Sequence, residues 1–225
     1  MARPAHHIAR PIVQVPVDVP TAEEAIAISH MALRAGCDWL EVGTPLILFS
    51  GLQSVAALAE AFPDRQIFAD IKIVDGAQKY VVAAAEHGAH YVSVCGVASD
   101  ASIRQAVAGG RATGIQVVVD LYAAADPVAR ARQVADMGAD LIYVHYGGDS
   151  WAEDPEHDDT ASVVAQVKAT VDVPVGCVSF DTDSAVAAVQ AGADIVLIGH
   201  PYLRGPAAEA MLTDYVQRVK AAGAA

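Results

Sequence analysis

Met137-Gly138-Ala139-Asp140-Leu141-Ile142-Tyr143-Val144 is one of four versions of the same phrase. The others are Ala35-Gly36-Cys37-Asp38 before Trp39-Leu40-Glu41-Val42, His87-Gly88-Ala89-His90 before Tyr91-Val92-Ser93-Val94, and Ala191-Gly192-Ala193-Asp194 before Ile195-Val196-Leu197-Ile198. Each reads as a helix end, a glycine stop, a short turn and a buried strand. The copies recur about every 50 residues, the length of a doubled βα unit. Between them lie four further strand-like runs, residues 12–18, 67–72, 116–120 and 173–179. Helical patterns fit the gaps, for example residues 21–35, 51–61, 126–137 and 181–191, and the first opens with Thr21-Ala22-Glu23-Glu24, a capping-box pattern. Eight strands alternating with eight helices make an α/β protein with parallel strands. A length of 225 residues and fourfold repetition favour closure into a single (β/α)8 barrel. No Pro/Gly/Ser-rich linker splits the chain, so residues 1–225 read as one domain.

Composition narrows the partners. The chain is 54% hydrophobic with a net charge of −13, which argues against nucleic acid and anionic membrane surfaces. Cys37, Cys95 and Cys177 each lie in an apolar segment without metal-ligand spacing, and their odd number argues against a disulfide framework. Residues 1–10 lack the apolar stretch of a signal peptide, and no run approaches the roughly 20 apolar residues of a membrane span. The expected location is cytoplasmic.

In such a barrel the chemistry sits at the C-terminal ends of the strands. Read in order, those ends carry Asp18, Glu41 with Thr44, the run Asp70-Ile71-Lys72-Ile73-Val74-Asp75, Ser93, Asp120, His145, Ser179 and His200. Residues two apart in a strand share a face, so Asp70 and Lys72 should point the same way, with Asp75 following as the strand gives way at Gly76. An Asp-x-Lys pair alone is as well read as a structural ion pair. Five acids, a lysine and two histidines on one rim read as a catalytic site.

These residues carry a resemblance. Pro16-Val17-Asp18, Leu40-Glu41-Val42-Gly43-Thr44-Pro45, Phe68-Ala69-Asp70-Ile71-Lys72-Ile73-Val74-Asp75, Val117-Val118-Val119-Asp120 and Val144-His145 resemble 3-hexulose-6-phosphate synthase and its sister 3-keto-L-gulonate-6-phosphate decarboxylase. Both belong to the orotidine 5′-monophosphate decarboxylase suprafamily of (β/α)8 barrels. The resemblance implies Mg2+, or another divalent cation, held by Glu41 and Asp70, and an enediolate intermediate. It implies that Asp18 and Lys72 bind the substrate and its developing oxyanion. His145 would move protons and Asp120 would assist substrate binding. Asp75 would enter the neighbouring subunit's site, which implies a homodimer acting on a sugar or sugar phosphate.

The loop after the sixth strand reads His145-Tyr146-Gly147-Gly148-Asp149, without the arginine that the resemblance to the decarboxylase would require there, and so leans toward addition of formaldehyde to D-ribulose 5-phosphate or its reverse. The chain departs from the group's phosphate site. In place of a Gly-Gly pair it has Ser179-Phe180-Asp181-Thr182, and in place of a Gly-Arg pair it has Gly199-His200-Pro201. Asp181 reads as a helix N-cap. Ser179, Thr182, Gly199, His200 and Arg204 are the candidates for rebuilding a substrate or anion site. The acidic loop 147–159, with Trp151, is either a solvated surface or a lid. Two alternatives stand beside the lyase reading. One is a 3-keto-L-gulonate-6-phosphate decarboxylase-like enzyme or a related enediolate enzyme on an unphosphorylated or otherwise different sugar acid; the other is a non-catalytic metabolite-binding barrel.

Overall fold

A computed structural model of the chain describes residues 11–155, 158–199 and 201–224. Eight parallel strands pair in chain order and β8 returns to β1, closing a (β/α)8 barrel. They are β1 (Ile12–Val17), β2 (Trp39–Val42), β3 (Gln66–Ile73), β4 (Tyr91–Cys95), β5 (Gln116–Asp120), β6 (Leu141–Val144), β7 (Val175–Ser179) and β8 (Ile195–Ile198). The covering helices are α1 (Ala22–Arg34), α3 (Gln53–Ala61), α4 (Ala77–Glu86), α5 (Asp100–Thr113), α6 (Pro127–Asp136), α8 (Thr160–Lys168), α9 (Thr182–Gln190) and α10 (Ala208–Ala222). Two short helices add to the eight expected, α2 (Thr44–Ser50) after β2 and α7 (Gly148–Glu153) after β6. Among the described residues no single helix is long and apolar enough to cross a membrane.

The repeated phrase has one mechanical role, performed four times. Its glycines, Gly36, Gly88, Gly138 and Gly192, all take a left-handed conformation with φ from 88° to 104°. The next amide then bonds back into the finished helix, as Ala139 does to the Val134 carbonyl at 3.1 Å, satisfying carbonyls the helix end leaves open. The fourth residue turns to the strand before. The amides of Asp38, His90, Asp140 and Asp194 donate to the carbonyls of Val13, Ile67, Val117 and Val175 at 2.7–2.9 Å. Their side chains accept the amides of those same four residues, at 2.8 Å for each aspartate and 3.1 Å for His90 Nδ1. Each reciprocal clip pins the N-terminal end of one strand to that of its predecessor. Lys220 pairs with Asp38 and Lys168 with Asp194, tying helices into two of the clips.

Alternation along the strands separates two cores. Leu40, Val42, Val92, Val117, Val119 and Ile142 face outward beneath the helices. Ile12, Trp39, Phe68, Tyr91, Val118, Leu141, Tyr143, Ile195 and Leu197 fill the barrel itself. Trp39 stacks on Tyr91 with centroids 4.3 Å apart and Phe68 on Tyr143 at 5.5 Å, so aromatic rings close the bore below its C-terminal mouth. Two residues further up the same faces lie Glu41, Asp70, Asp120 and His145.

Replacing Asp140 by Ala leaves the buried Val117 amide without its side-chain acceptor. The expected cost is about 1–3 kcal/mol in urea unfolding with an unchanged slope. An unaltered midpoint would remove the clip from this account of the fold.

Candidate active site

Asp70 is the centre of the mouth. It is buried, and its Oδ2 accepts from Lys72 Nζ at 2.5 Å and from Thr44 Oγ1 at 2.7 Å, while Oδ1 accepts from Ser93 Oγ at 2.7 Å. The expected contact between Asp70 and Lys72 is present, but simple strand alternation does not produce it. The β3–β4 register runs Ala69 to Val92 and then Ile73 to Val94, so β3 is bulged between these pairs. Lys72 sits at φ 51°, a left-handed conformation that costs a non-glycine residue energy. Two side chains of β4 hold it there. Ser93 Oγ accepts the Lys72 amide at 2.8 Å, and Cys95 Sγ donates to the Lys72 carbonyl at 3.3 Å.

Gly43-Thr44-Pro45 opens α2 and shows why those three types stand together. A Cβ on Gly43 would lie 1.9 Å from Asp18 Oδ1, so glycine makes room for that carboxylate. Thr44 anchors Asp70 through both its carboxylate and its carbonyl, and Pro45 fits the first helical turn, where no amide is needed. On the other side of the bore, Asp120 joins the two basic groups. Its Oδ2 lies 2.9 Å from His145 Nδ1 and 3.7 Å from Lys72 Nζ, and its Oδ1 accepts the Tyr122 amide at 2.9 Å.

Electrostatics sort these groups. Burial opposes ionisation of Asp120, but His145, Lys72 and the Tyr122 amide outweigh it and hold the carboxyl below its ordinary range. An ionised Asp120 accepts from Nδ1 of His145, and that bond fixes the ring with Nε2 as its other nitrogen. Burial also opposes the charge of Lys72, yet Asp70, Asp120 and Glu41 more than offset it and push its pKa upward. Lys72 is a fixed cation. Glu41 is held well above the usual carboxylate range, first by burial and then by Asp70, with Asp18 adding to it. Asp18, at the outer lip, is raised by the loss of water around its carboxyl and then by Asp70.

Two buried polar side chains support Glu41 from below and were absent from the sequence-derived candidates. Gln14 Nε2 donates to Glu41 Oε2 at 2.5 Å, and Tyr143 Oη donates to Gln14 Oε1 at 2.6 Å. Their signal is parity, since each lies on an inward face. Parity also separates Ser179 from the rim. Its hydroxyl donates outward to the Leu197 carbonyl at 2.8 Å and lies 2.7 Å from Tyr215 Oη of α10, so it is not brought to the mouth. Gly199 follows β8 and packs on Pro16, where an added Cβ would lie 3.1 Å from the ring. Asp75 is exposed beyond the end of β3. His200 lies outside the described residues. Asp181 does cap α9, accepting the Ser184 amide at 2.7 Å. The acidic loop forms α7, and Trp151 stacks on Phe180 with centroids 4.8 Å apart.

Ionisable groups gathered at the C-terminal mouth, above a sealed apolar bore, are the arrangement of barrel enzymes. Residues 11–201 match the orotidine 5′-phosphate decarboxylase / HUMPS family, and the chain belongs to it. Over 187 residues it is 35% identical to 3-hexulose-6-phosphate synthase of Staphylococcus haemolyticus, covering 83% of this chain and 88% of that one. The synthase of Staphylococcus aureus is 33% identical over the same shares. A solved 3-hexulose-6-phosphate synthase, 29% identical, superposes with a TM-score of 0.84 over 94% of this chain and 99% of that one. KGPDC from Streptococcus mutans, 19% identical, gives 0.86 over 94% and 98%, a likeness of fold.

Glu41, raised above its ordinary pKa by the fold, stabilises the folded state only while protonated, and that contribution is lost as pH rises. Glu41→Gln keeps an acceptor for Gln14 without the charge. In metal-free protein it should raise the thermal midpoint by a few degrees at pH 7, the gain shrinking toward pH 4. An equal or lower midpoint at pH 7 would contradict the charge assignment.

Proposed function

We propose that this barrel is a divalent-cation-dependent lyase of the 3-hexulose-6-phosphate synthase type. It joins formaldehyde to D-ribulose 5-phosphate, or runs the reverse, through an enediolate. The observation that carries the reading is Lys72, held cationic between Asp70 and Asp120. A lysine kept protonated is no nucleophile, which argues against a Schiff-base aldolase and for electrostatic stabilisation of an oxyanion. The 35% identity to a protein named as that synthase supports the same choice.

Among the described residues no group of three or more His, Cys, Asp or Glu side chains forms a cage for a metal ion. Glu41 and Asp70 offer two carboxylates, which fits Mg2+, since that ion takes one or two carboxylates with substrate oxygens and water. The chemistry of the mouth supports it, because Glu41 is raised by the negative charge of Asp70 and Asp18 as well as by burial. Such a cation would supply Lewis-acid polarisation of the substrate's vicinal oxygens. His145 Nε2 takes the proton from C1 of the ketose while Asp120 steadies the imidazolium through Nδ1. Lys72 Nζ faces the developing oxyanion, and Asp18 accepts from a substrate hydroxyl. C1 then adds to formaldehyde, and the new alkoxide takes its proton back from His145.

Asp75 acts across a subunit boundary in this reading. Its exposure supports that role, as do the exposed apolar side chains of Leu48 (78%) and Phe49 (75%) on α2 and of Val74 (57%) beside Asp75.

The test is consumption of formaldehyde with D-ribulose 5-phosphate, with and without EDTA. Activity should appear with Mg2+, vanish on chelation, and fall about 10²–10⁴-fold in His145→Gln. Undiminished turnover in EDTA would sink the cation dependence. Failure to consume formaldehyde, with release of CO2 from a keto-sugar acid phosphate instead, would move the chain to the decarboxylase. Co-expressing inactive Lys72→Ala and inactive Asp75→Ala chains should restore about a quarter of wild-type activity, because each mixed twofold dimer rebuilds one intact site. No recovery would refute the shared site.

A further inference from the structure

The loop after β7 keeps little for a substrate. Ser179 is turned to Tyr215, Thr182 Oγ1 lies 3.1 Å from Tyr202 Oη, and Phe180 is covered by Trp151. The carboxylate of Asp181 already occupies the N-terminus of α9, the position where that helix would favour a bound anion. An anion arriving there would meet a charge of its own sign.

The other flank of the mouth is open. A cavity of about 270 Å3 lies beside Asp18, walled by Pro16, Val19, Ile28, Leu203 and Arg204. Asp18 and Arg204 line this one space, yet among the described residues neither side chain has a hydrogen-bond partner, and they form no ion pair with each other. A carboxylate that only accepts and a guanidinium that only donates, both exposed on the lining of one cavity, are complementary to a ligand with hydroxyls at one end and an anion at the other. Ile28, Val19 and Leu203 provide apolar walls for the carbon chain between. The volume is below the range of about 300–1,000 Å3 that encloses a whole drug-sized ligand, so the cavity suits one end of a substrate that reaches the mouth past Asp18. Lys72 does not line this cavity, and in the proposed reaction it serves the oxyanion at the reacting carbons.

We propose that Arg204 reads the terminal anion of the substrate, a phosphate or carboxylate on a short polyol, in the cavity between the β1–α1 and β8–α10 loops, and that the N-terminus of α9 does not. The proposal rests on the polyol chemistry assigned to the mouth above. It makes Arg204 a specificity-determining residue, with the guanidinium fork engaging two anion oxygens.

Calorimetric titration of the Mg2+-loaded protein with D-ribulose 5-phosphate, D-ribonate and D-ribulose tests it, using wild type, Arg204→Gln, Arg204→Lys and Asp181→Asn. Arg204→Gln should weaken the preferred anionic ligand about 10–100-fold and leave D-ribulose unchanged, the loss expected for a charge-assisted contact. Arg204→Lys should recover part of it. Asp181→Asn, which keeps the cap, should stay within about twofold of wild type. Tight binding of D-ribonate and none of D-ribulose 5-phosphate, with the ribonate lost in Arg204→Gln, would sustain this assignment while removing the synthase reading. Wild-type affinity in Arg204→Gln would overturn the assignment even if formaldehyde is fixed. So would tighter binding in Asp181→Asn. Binding of neither anion would overturn both readings.

Discussion

A side chain that turns back to the amide of the preceding strand holds this barrel shut. The four clips made by Asp38, His90, Asp140 and Asp194 combine two hydrogen bonds each, one through the backbone and one through the side chain. Strand register follows from them, and in a closed sheet register decides which residues face the bore. A slip of one residue would exchange Glu41, Asp70 and Asp120 with the apolar residues beside them. The floor of the barrel therefore fixes what stands at its mouth.

At the mouth the problem is excess negative charge in a buried place. Asp70 and Asp120 are stabilised by sharing Lys72 and by bonds from Thr44, Ser93, His145 and the Tyr122 amide. Glu41 is compensated only in part, by Lys72 and by the bond from Gln14, and its raised pKa records the deficit. Stability is given up at the position where the proposed cation would act, a common association of strain with function. The left-handed backbone at Lys72 belongs to the same account.

Much of this was legible in the sequence because its cause is periodic. The fourfold phrase and the four apolar runs between its copies specify eight strands, and strand ends locate Asp18, Glu41, Asp70, Asp120 and His145 on one rim. The failures have particular reasons. Ser179 lies at a strand end but on the outward face, and a residue's position along a strand says nothing of its side unless parity is counted. The Asp70–Lys72 contact was expected from alternation, whereas a bulge delivers it, and no local pattern in Ile71-Lys72-Ile73 announces a bulge held by β4. The docking of Trp151 on Phe180 joins residues from separate loops, so composition could describe α7 only as an acidic stretch. Arg204 entered as one of several anion candidates, and the shape of the cavity beside Asp18 is what distinguishes it.

The rings of Trp39, Phe68, Tyr91 and Tyr143 lie between the clips and the charged mouth. Among the described residues Tyr143 and Gln14 carry their hydrogen bonds to the mouth, and Tyr91 feels the charge of Asp140 at the clips. Clip and mouth bonds have no residue in common among those described, so free-energy changes made at the two ends should largely sum. A lineage can then accumulate changes in loops such as the one after β7, altering what the mouth accepts, without drawing on the margin that keeps the barrel folded. The aromatic layer is in this sense a firebreak between the part of the molecule that must not vary and the part that can.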